Sequence, residues 1–246
     1  QFLEEWTELY NSHSGERGLY NRDAMTNIAK RADRDTSHYF GTNPCSEIIL
    51  RPNQFCNLST VVVKADDTKE SLQRKIEMAT IIGTVQSTFT HFPYLAQDPS
   101  WVKNCREERL LGVSMTGIGS GKVLNYDMSK AASLVKRENT RISKLIGINQ
   151  SARCTTVKPA GTTSLALGTS SGIHAWHNDY YIRRLRVGKN EAIYSYLVNN
   201  LPELIEDCRF RPHDTAVISI PQKAPEGSIL RLESQFDLFE RIKKVA

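Results

Sequence analysis

The sequence predicts an α/β fold, and three observations carry that expectation. Apolar, β-branched runs of strand length alternate with segments of helical period. The 246 residues, 39% hydrophobic and 24% charged, suit an ordinary globular protein with one sizeable core. No internal repeat, low-complexity tract or domain linker breaks the pattern, so residues 1–246 are expected to form a single domain.

The elements follow in order. Phe2, Trp6, Leu9 and Tyr10 lie at helical spacing within residues 1–12, and Gly15 and Gly18 break that helix. Asp23 stands where it could cap a helix over residues 24–30. Residues 41–56, punctuated by Pro44 and Pro52, read as extended loop or strand. Residues 58–63 read as a buried strand. Thr68 caps a long helix reaching about residue 90, supported by Glu70, Leu72, Ile76, Ala79 and Val85. A strand over 110–115 and a helix over 129–145 come next. A short strand over 153–157 leads through a glycine turn into a short helix over 162–167. A strand over 181–187, a helix over 191–199, a strand over 216–220 and a helix over 230–244 complete the chain.

Composition narrows the function classes. No apolar run approaches the length of a membrane span, and the first residues lack the basic start and apolar core of a signal peptide. Five scattered cysteines, an odd number without a C-x-x-C pair, argue for the reducing cytoplasm and against a disulfide framework or a zinc ribbon. A net charge of +5 is compatible with anionic nucleotides but decides little. Arg183, Arg184 and Arg186 form one short basic cluster, read as a solvated strand face or contacts inside a larger enzyme, so no nucleic-acid partner is expected. His174 and His177, three apart, are too few ligands for a metal site. The chain begins at Gln1 inside an apparent helix, as expected of an internal piece of a longer chain.

Cys45 and Cys56 lie eleven positions apart, in Asn43-Pro44-Cys45-Ser46-Glu47 and Gln54-Phe55-Cys56-Asn57-Leu58. An isolated cysteine often only fills space. Here Asn43 and Glu47 bracket Cys45, and on extended backbone alternate side chains point the same way. A thiol, a base and an amide could then face one small volume. A second candidate is Pro159-Ala160-Gly161-Thr162-Thr163, a glycine turn entering a helix. The unpaired N–H groups of such a turn suit a phosphate, although the same pattern also makes an ordinary helix cap.

These residues carry a family resemblance. N-P-C-S-E followed by Q-F-C-N-L resembles the active-site segment of ribonucleotide reductase large chains, with the cysteine spacing of the adenosylcobalamin-dependent class II branch. Ser14-Gly15-Glu16-Arg17-Gly18-Leu19-Tyr20-Asn21-Arg22-Asp23 is similar to another family stretch, with Arg17 where proline is usual. Asn104-Cys105-Arg106-Glu107-Glu108-Arg109-Leu110-Leu111-Gly112-Val113 and Thr116-Gly117 resemble further family segments. So do Thr156-Val157-Lys158-Pro159-Ala160-Gly161-Thr162 and Tyr180-Tyr181-Ile182-Arg183-Arg184-Leu185-Arg186.

The resemblance implies a ten-stranded α/β barrel, of which this chain supplies roughly the second half, with Cys45 on a finger loop at its centre. It implies reduction of ribonucleotides to 2′-deoxyribonucleotides, with Cys45 as the thiyl residue, Glu47 as general base and Asn43 orienting the substrate hydroxyls. It makes Cys56 one of two reducing thiols, whose partner lies outside this chain. Pro159, Ala160, Gly161, Thr162 and Thr163 would bind the substrate phosphate. The implied cofactor is adenosylcobalamin, held largely by other parts of the family chain. The implied partners are a thioredoxin-type reductant and the remainder of the reductase, so the piece alone is expected to be inactive. Cys105 and Cys154 read as structural and Cys208 as a surface or loop thiol. Two alternatives stand beside this reading: a class I ribonucleoside-diphosphate reductase chain, and a non-catalytic nucleotide-binding piece of a split enzyme.

Overall fold

The computed structural model describes residues 1–15, 18–95 and 97–246; Glu16 and Arg17 of the second resembled segment lie outside the described residues. Helix α1 (Phe2–Asn11) matches the expected amphipathic helix, yet it buries none of its residues. Helix α2 (Arg22–Arg31) is capped by Asn21, whose side chain accepts from the Ala24 N–H, and not by Asp23. Asp23 instead sits in the first turn, where its charge favours the positive end of the helix dipole.

Strands β1 (Gly41–Thr42) and β2 (Ile49–Leu50) form a short antiparallel hairpin. Strand β3 (Asn57–Val62) is followed by α3 (Lys69–Gln86), whose first turn is closed by a reciprocal box between Thr68 and Ser71. The helix ends before residue 90 because the Thr88 and Phe89 N–H groups bond three residues back, tightening the last turn. Helix α4 (Ser100–Glu108) was not expected: it has no glycine stop, and its buried residues include the polar Asn104 and Glu108. It leads into β4 (Leu111–Thr116), then α5 (Met128–Ile146), which Asp127 caps.

Strand β4 lies parallel to β3 in register from Asn57 opposite Leu111 to Val62 opposite Thr116. The helices between them make this a parallel crossover unit. Beyond β4, the predicted strand at 153–157 is reduced to one parallel bridge between Val113 and Thr155, because the chain turns away into the Pro159–Gly161 corner. The main core sits here, with Val61, Val63, Leu111 and Val113 of the strands against Leu72, Ile76 and Ala79 of α3 and Leu134 and Val135 of α5. Ser59 accommodates α3 through Gly83, where an added Cβ would lie 3.1 Å from the serine oxygen.

Helix α6 (Thr163–Ala166) is a single turn. A second sheet follows from β5 (Tyr180–Gly188), α7 (Ala192–Asn200), β6 (Ile205–Asp207) and β7 (Thr215–Lys223), with strand order β5-β7-β6, all antiparallel. Val187, Ala216 and Ile218 form its own small core against Tyr194 and Leu197 of α7. Helix α8 (Gln235–Val245) begins at a Ser234–Asp237 capping box, later than expected, because residues 230–233 form a bridge and turn. The expected alternation of helix and strand is therefore present as a mixed α/β fold, and no described helix is long and apolar enough to cross a membrane.

Candidate active site

Cys45 occupies the tip of the β1–β2 hairpin and is exposed. The backbone there is a turn, not the extended segment that alternation required. The Ser46 N–H donates to the Asn43 carbonyl at 2.9 Å, and Ser46 adopts a left-handed φ of +62°. Asn43 braces the turn with its own side chain, whose Oδ1 accepts from the Ile48 N–H at 3.0 Å. This is the local side-chain competition for backbone that asparagine offers in turns. Asn43 and Glu47 thus sit at the two ends of the turn and Cys45 between them.

Glu47 points the other way, into the protein. With Cys56, Arg34, Arg153, Thr155, Thr156 and apolar residues of α2 and β4 it lines a cavity of about 80 Å³. Its Oε2 is buried without a hydrogen-bond partner among the described residues, while its backbone carbonyl accepts from the Thr156 hydroxyl at 3.1 Å. A buried carboxylate oxygen left unpaired is costly, and such an atom marks a position where a proton or a ligand group belongs. The cavity is far smaller than the roughly 300–1,000 Å³ of small-molecule sites. It can hold water, whereas a sugar would have to approach Cys45 from the open side of the turn.

Cys56 immediately precedes β3 and lies over Gly112 of β4, where an added Cβ would stand 3.2 Å from its sulfur. Burial pushes its thiol up to about 12, and the nearby Glu47 adds to the shift while Arg34 opposes it. Cys56 is therefore a protonated thiol at neutral pH. Cys45 does not line this cavity, so the structure brings Glu47 and Cys56 together and leaves Cys45 outside, two residues away from Glu47 in sequence.

The second candidate segment starts three residues past Thr156. Ala160 is buried, while Gly161, Thr162 and Thr163 are exposed, and open space surrounds the Gly161 Cα. The one-turn helix α6 is tied to the end of β4 by a 2.7 Å hydrogen bond between the Ser164 and Thr116 hydroxyls, both fully buried. Gly172, at φ +54°, lies against this corner; a Cβ there would meet the Lys158 carbonyl at 2.5 Å and the Ala160 nitrogen at 2.7 Å. Pro159 to Thr163 is thus a supported corner with exposed backbone at its apex.

The remaining sequence candidates separate. Cys105 and Cys154 are buried, and burial raises the Cys154 thiol to about 11. Cys208 follows β6 in a loop as expected but is 2% exposed, so it is not a surface thiol; Val187 and Thr215 on neighbouring strands close over the same hollow. His174 and His177 are exposed, and among the described residues no three His, Cys, Asp or Glu side chains gather into a metal site. Sequence reasoning missed Arg34, Arg153, Thr155 and Thr156 as cavity walls. Thr156 lay inside a resembled segment, but nothing local marked Arg34.

No family model matches this chain. It is 25% identical over 242 residues to the adenosylcobalamin-dependent ribonucleoside-triphosphate reductase of Euglena gracilis, covering 96% of this chain and 32% of that protein. It is 30% identical over 217 residues to the enzyme of the same name from Lactobacillus acidophilus, covering 74% of this chain and 28% of the other. Among solved structures, a B12-dependent, class II ribonucleotide reductase superposes with a TM-score of 0.60 at 23% identity, over 75% of this chain and 29% of that one. The chain spans about a third of the length of the curated relatives it matches. The resemblance first carried by the cysteine segment therefore extends along most of the chain, and its curated homologues are adenosylcobalamin-dependent ribonucleoside-triphosphate reductases.

Proposed function

We propose that this chain is the part of an adenosylcobalamin-dependent ribonucleoside-triphosphate reductase that carries the radical-bearing cysteine, one reducing thiol and the substrate phosphate corner. One observation carries the reading. Glu47, with an unpartnered buried oxygen, shares a cavity wall with the protonated Cys56, while Cys45 two residues earlier faces outward from a rigid turn. On this reading residues 1–246 are a single partial barrel domain, roughly the second half of ten strands, and the β1–β2 hairpin is its finger loop. The TM-score of 0.60 to a class II enzyme supports that placement.

The chemistry then distributes as follows. Bound adenosylcobalamin supplies the initiating radical, and a thiol exposed on a turn suits a group that must be reached from outside this segment. The Cys45 sulfur takes the hydrogen atom from the substrate C3′, so that S–H forms as C–H breaks. Glu47 accepts the 3′-hydroxyl proton. The 2′-oxygen leaves as water, carrying a proton from the reducing thiols. Cys56 and a second thiol outside this chain give two electrons and two protons and become a disulfide: one proton leaves in the water, the other hydrogen ends on C2′, Glu47 returns its proton to the 3′-oxygen, and the hydrogen held at Cys45 returns to C3′. Asn43, its oxygen already committed to Ile48, offers its amide N–H groups to the substrate hydroxyls. The Pro159–Thr163 corner receives the phosphates through the backbone N–H groups of Gly161, Thr162 and Thr163 and the two threonine hydroxyls, while Pro159, which has no N–H, and Ala160, whose N–H is donated to the Lys158 carbonyl, shape the turn. A thioredoxin-type reductant restores the thiols.

The test uses the complete polypeptide that contains these residues. Cys45→Ser abolishes deoxynucleotide formation; formation at the parental rate would refute the assignment. Glu47→Gln lowers kcat by about 10²–10⁴-fold, the usual worth of a general base, with a smaller change in KM. A change confined to KM would remove Glu47 as the base. Turnover without cobalamin would place the protein in the iron-dependent branch instead.

A further inference from the structure

Between the two cysteines the chain is held by a buried charge cluster centred on Glu108 at the end of α4. The Arg34 Nε and Nη2 donate to the two Glu108 oxygens at 2.8 Å each. The Gln54 Nε2 donates to Glu108 Oε2 at 2.7 Å, and Arg51 Nη2 stands 3.3 Å from Oε1. The side chains of Arg34, Arg51 and Glu108 are 2%, 5% and 5% exposed. Burial acts to raise the Glu108 carboxyl, but the bonds from Arg34 and Gln54 and the two guanidinium charges outweigh it and hold the group below its ordinary range.

The cluster grips backbone as well as side chains. Arg34 Nη1 donates to the Ile49 carbonyl at 2.9 Å, and Asn104 of α4 donates to the Pro52 carbonyl at 2.8 Å. Gln54 Oε1 accepts from the Arg51 N–H at 2.8 Å. Three residues of left-handed backbone adjoin it: Asp33 before Arg34, Asn53 before Gln54 and Arg109 after Glu108. A fourth, Ser46, follows Cys45, and among the described residues only His13 otherwise has positive φ without being glycine. Non-glycine residues persist in that region where the surroundings over-determine them. Buried ion pairs about break even against apolar packing in stability, so a cluster whose donors end on carbonyls at Ile49 and Pro52 serves to fix a chain path.

We infer that Glu108 is a positioning residue, which through Arg34, Arg51, Gln54 and Asn104 sets the path of residues 49–57 and holds Cys56 in its cavity at a fixed offset from the Cys45 turn. The inference rests on the reading that both cysteines serve one reduction, but its test does not. The complete polypeptide that contains these residues, carrying Glu108→Gln, is alkylated with iodoacetamide at about pH 8, and modification is mapped by peptide mass. Cys154, buried in the main core and not a member of the cluster, is the internal reference. Loss of the clamp hydrates Cys56 alone, so its alkylation rises about tenfold or more while Cys154 changes less than about twofold. A parallel rise at both cysteines shows a merely structural role and overturns the inference; so does an unchanged Cys56. If Glu108→Gln does not fold, Gln54→Leu makes the same comparison with the Arg34–Glu108 pair intact. A selective rise at Cys56, in an enzyme whose Cys56→Ser variant still turns over, would leave the clamp standing and refute only the role given to Cys56.

Discussion

Cys56 and Cys154 illustrate what burial does to a thiol. Burial holds each protonated, at about 12 and about 11, against the ordinary 9.0 of a free thiol. The linkage has a definite sign. A thiol whose folded pKa is raised stays neutral in the native state while the unfolded chain ionises, so its stabilising contribution is full below pH 9 and is lost as pH climbs from 9 toward 11 or 12. Each thiol costs at most about 1.4 kcal/mol per pH unit in that window. Urea unfolding at a series of pH values should therefore show stability falling above pH 9, and Cys56→Ala should reduce that slope by about 1 kcal/mol per pH unit. An unchanged slope would show that Cys56 is hydrated in the native protein. The pair of cysteines was legible in the sequence because residue type and spacing sufficed. The direction of Glu47 was not, because alternation assumes extended backbone and Ser46 leaves it.

At the level of elements, capping and apolar period located most helices and strands. Thr68, the helix expected over 129–145 and the run at 58–63 each gave a boundary or a buried face that the structure repeats within one or two residues. Helix α4 escaped because its buried face is polar and its purpose is the Glu108 cluster, which depends on Arg34 some 74 residues away. The segment at 153–157 lost its ladder to the corner that follows it, a tertiary demand that propensity does not record. Strand β4 shows how tightly the two halves of the site are joined. A Cβ at Gly112 would stand 2.5 Å from Leu58 Cδ2, 3.1 Å from Thr156 Cγ2 and 3.2 Å from Cys56 Sγ. Gly112→Ala should thus destabilise the chain by about 1–3 kcal/mol, as overpacking does, and shift Cys56 from its seat. The midpoint of thermal unfolding checks the first effect; a variant as stable as the parent would mean that β3 and β4 pack more loosely than described.

For the whole molecule, the parallel unit β3–α3–α4–β4 supplies the floor of the candidate site and the β1–β2 hairpin carries Cys45 on its turn. The separate antiparallel sheet of β5, β6 and β7 has its own core and contributes none of the residues assigned to the chemistry. The proposed barrel rests on family resemblance, because closure depends on strands that pairing within one segment of sequence does not reveal. The same holds for the second reducing thiol, which no residue type or spacing in this chain identifies. The account therefore turns on whether Cys56 is spent during reduction. The complete polypeptide, prereduced and given adenosylcobalamin and a ribonucleoside triphosphate without external thiol, should form deoxynucleotide and yield Cys56 in a disulfide-linked peptide. Deoxynucleotide formed with Cys56 recovered wholly as a free thiol would contradict it.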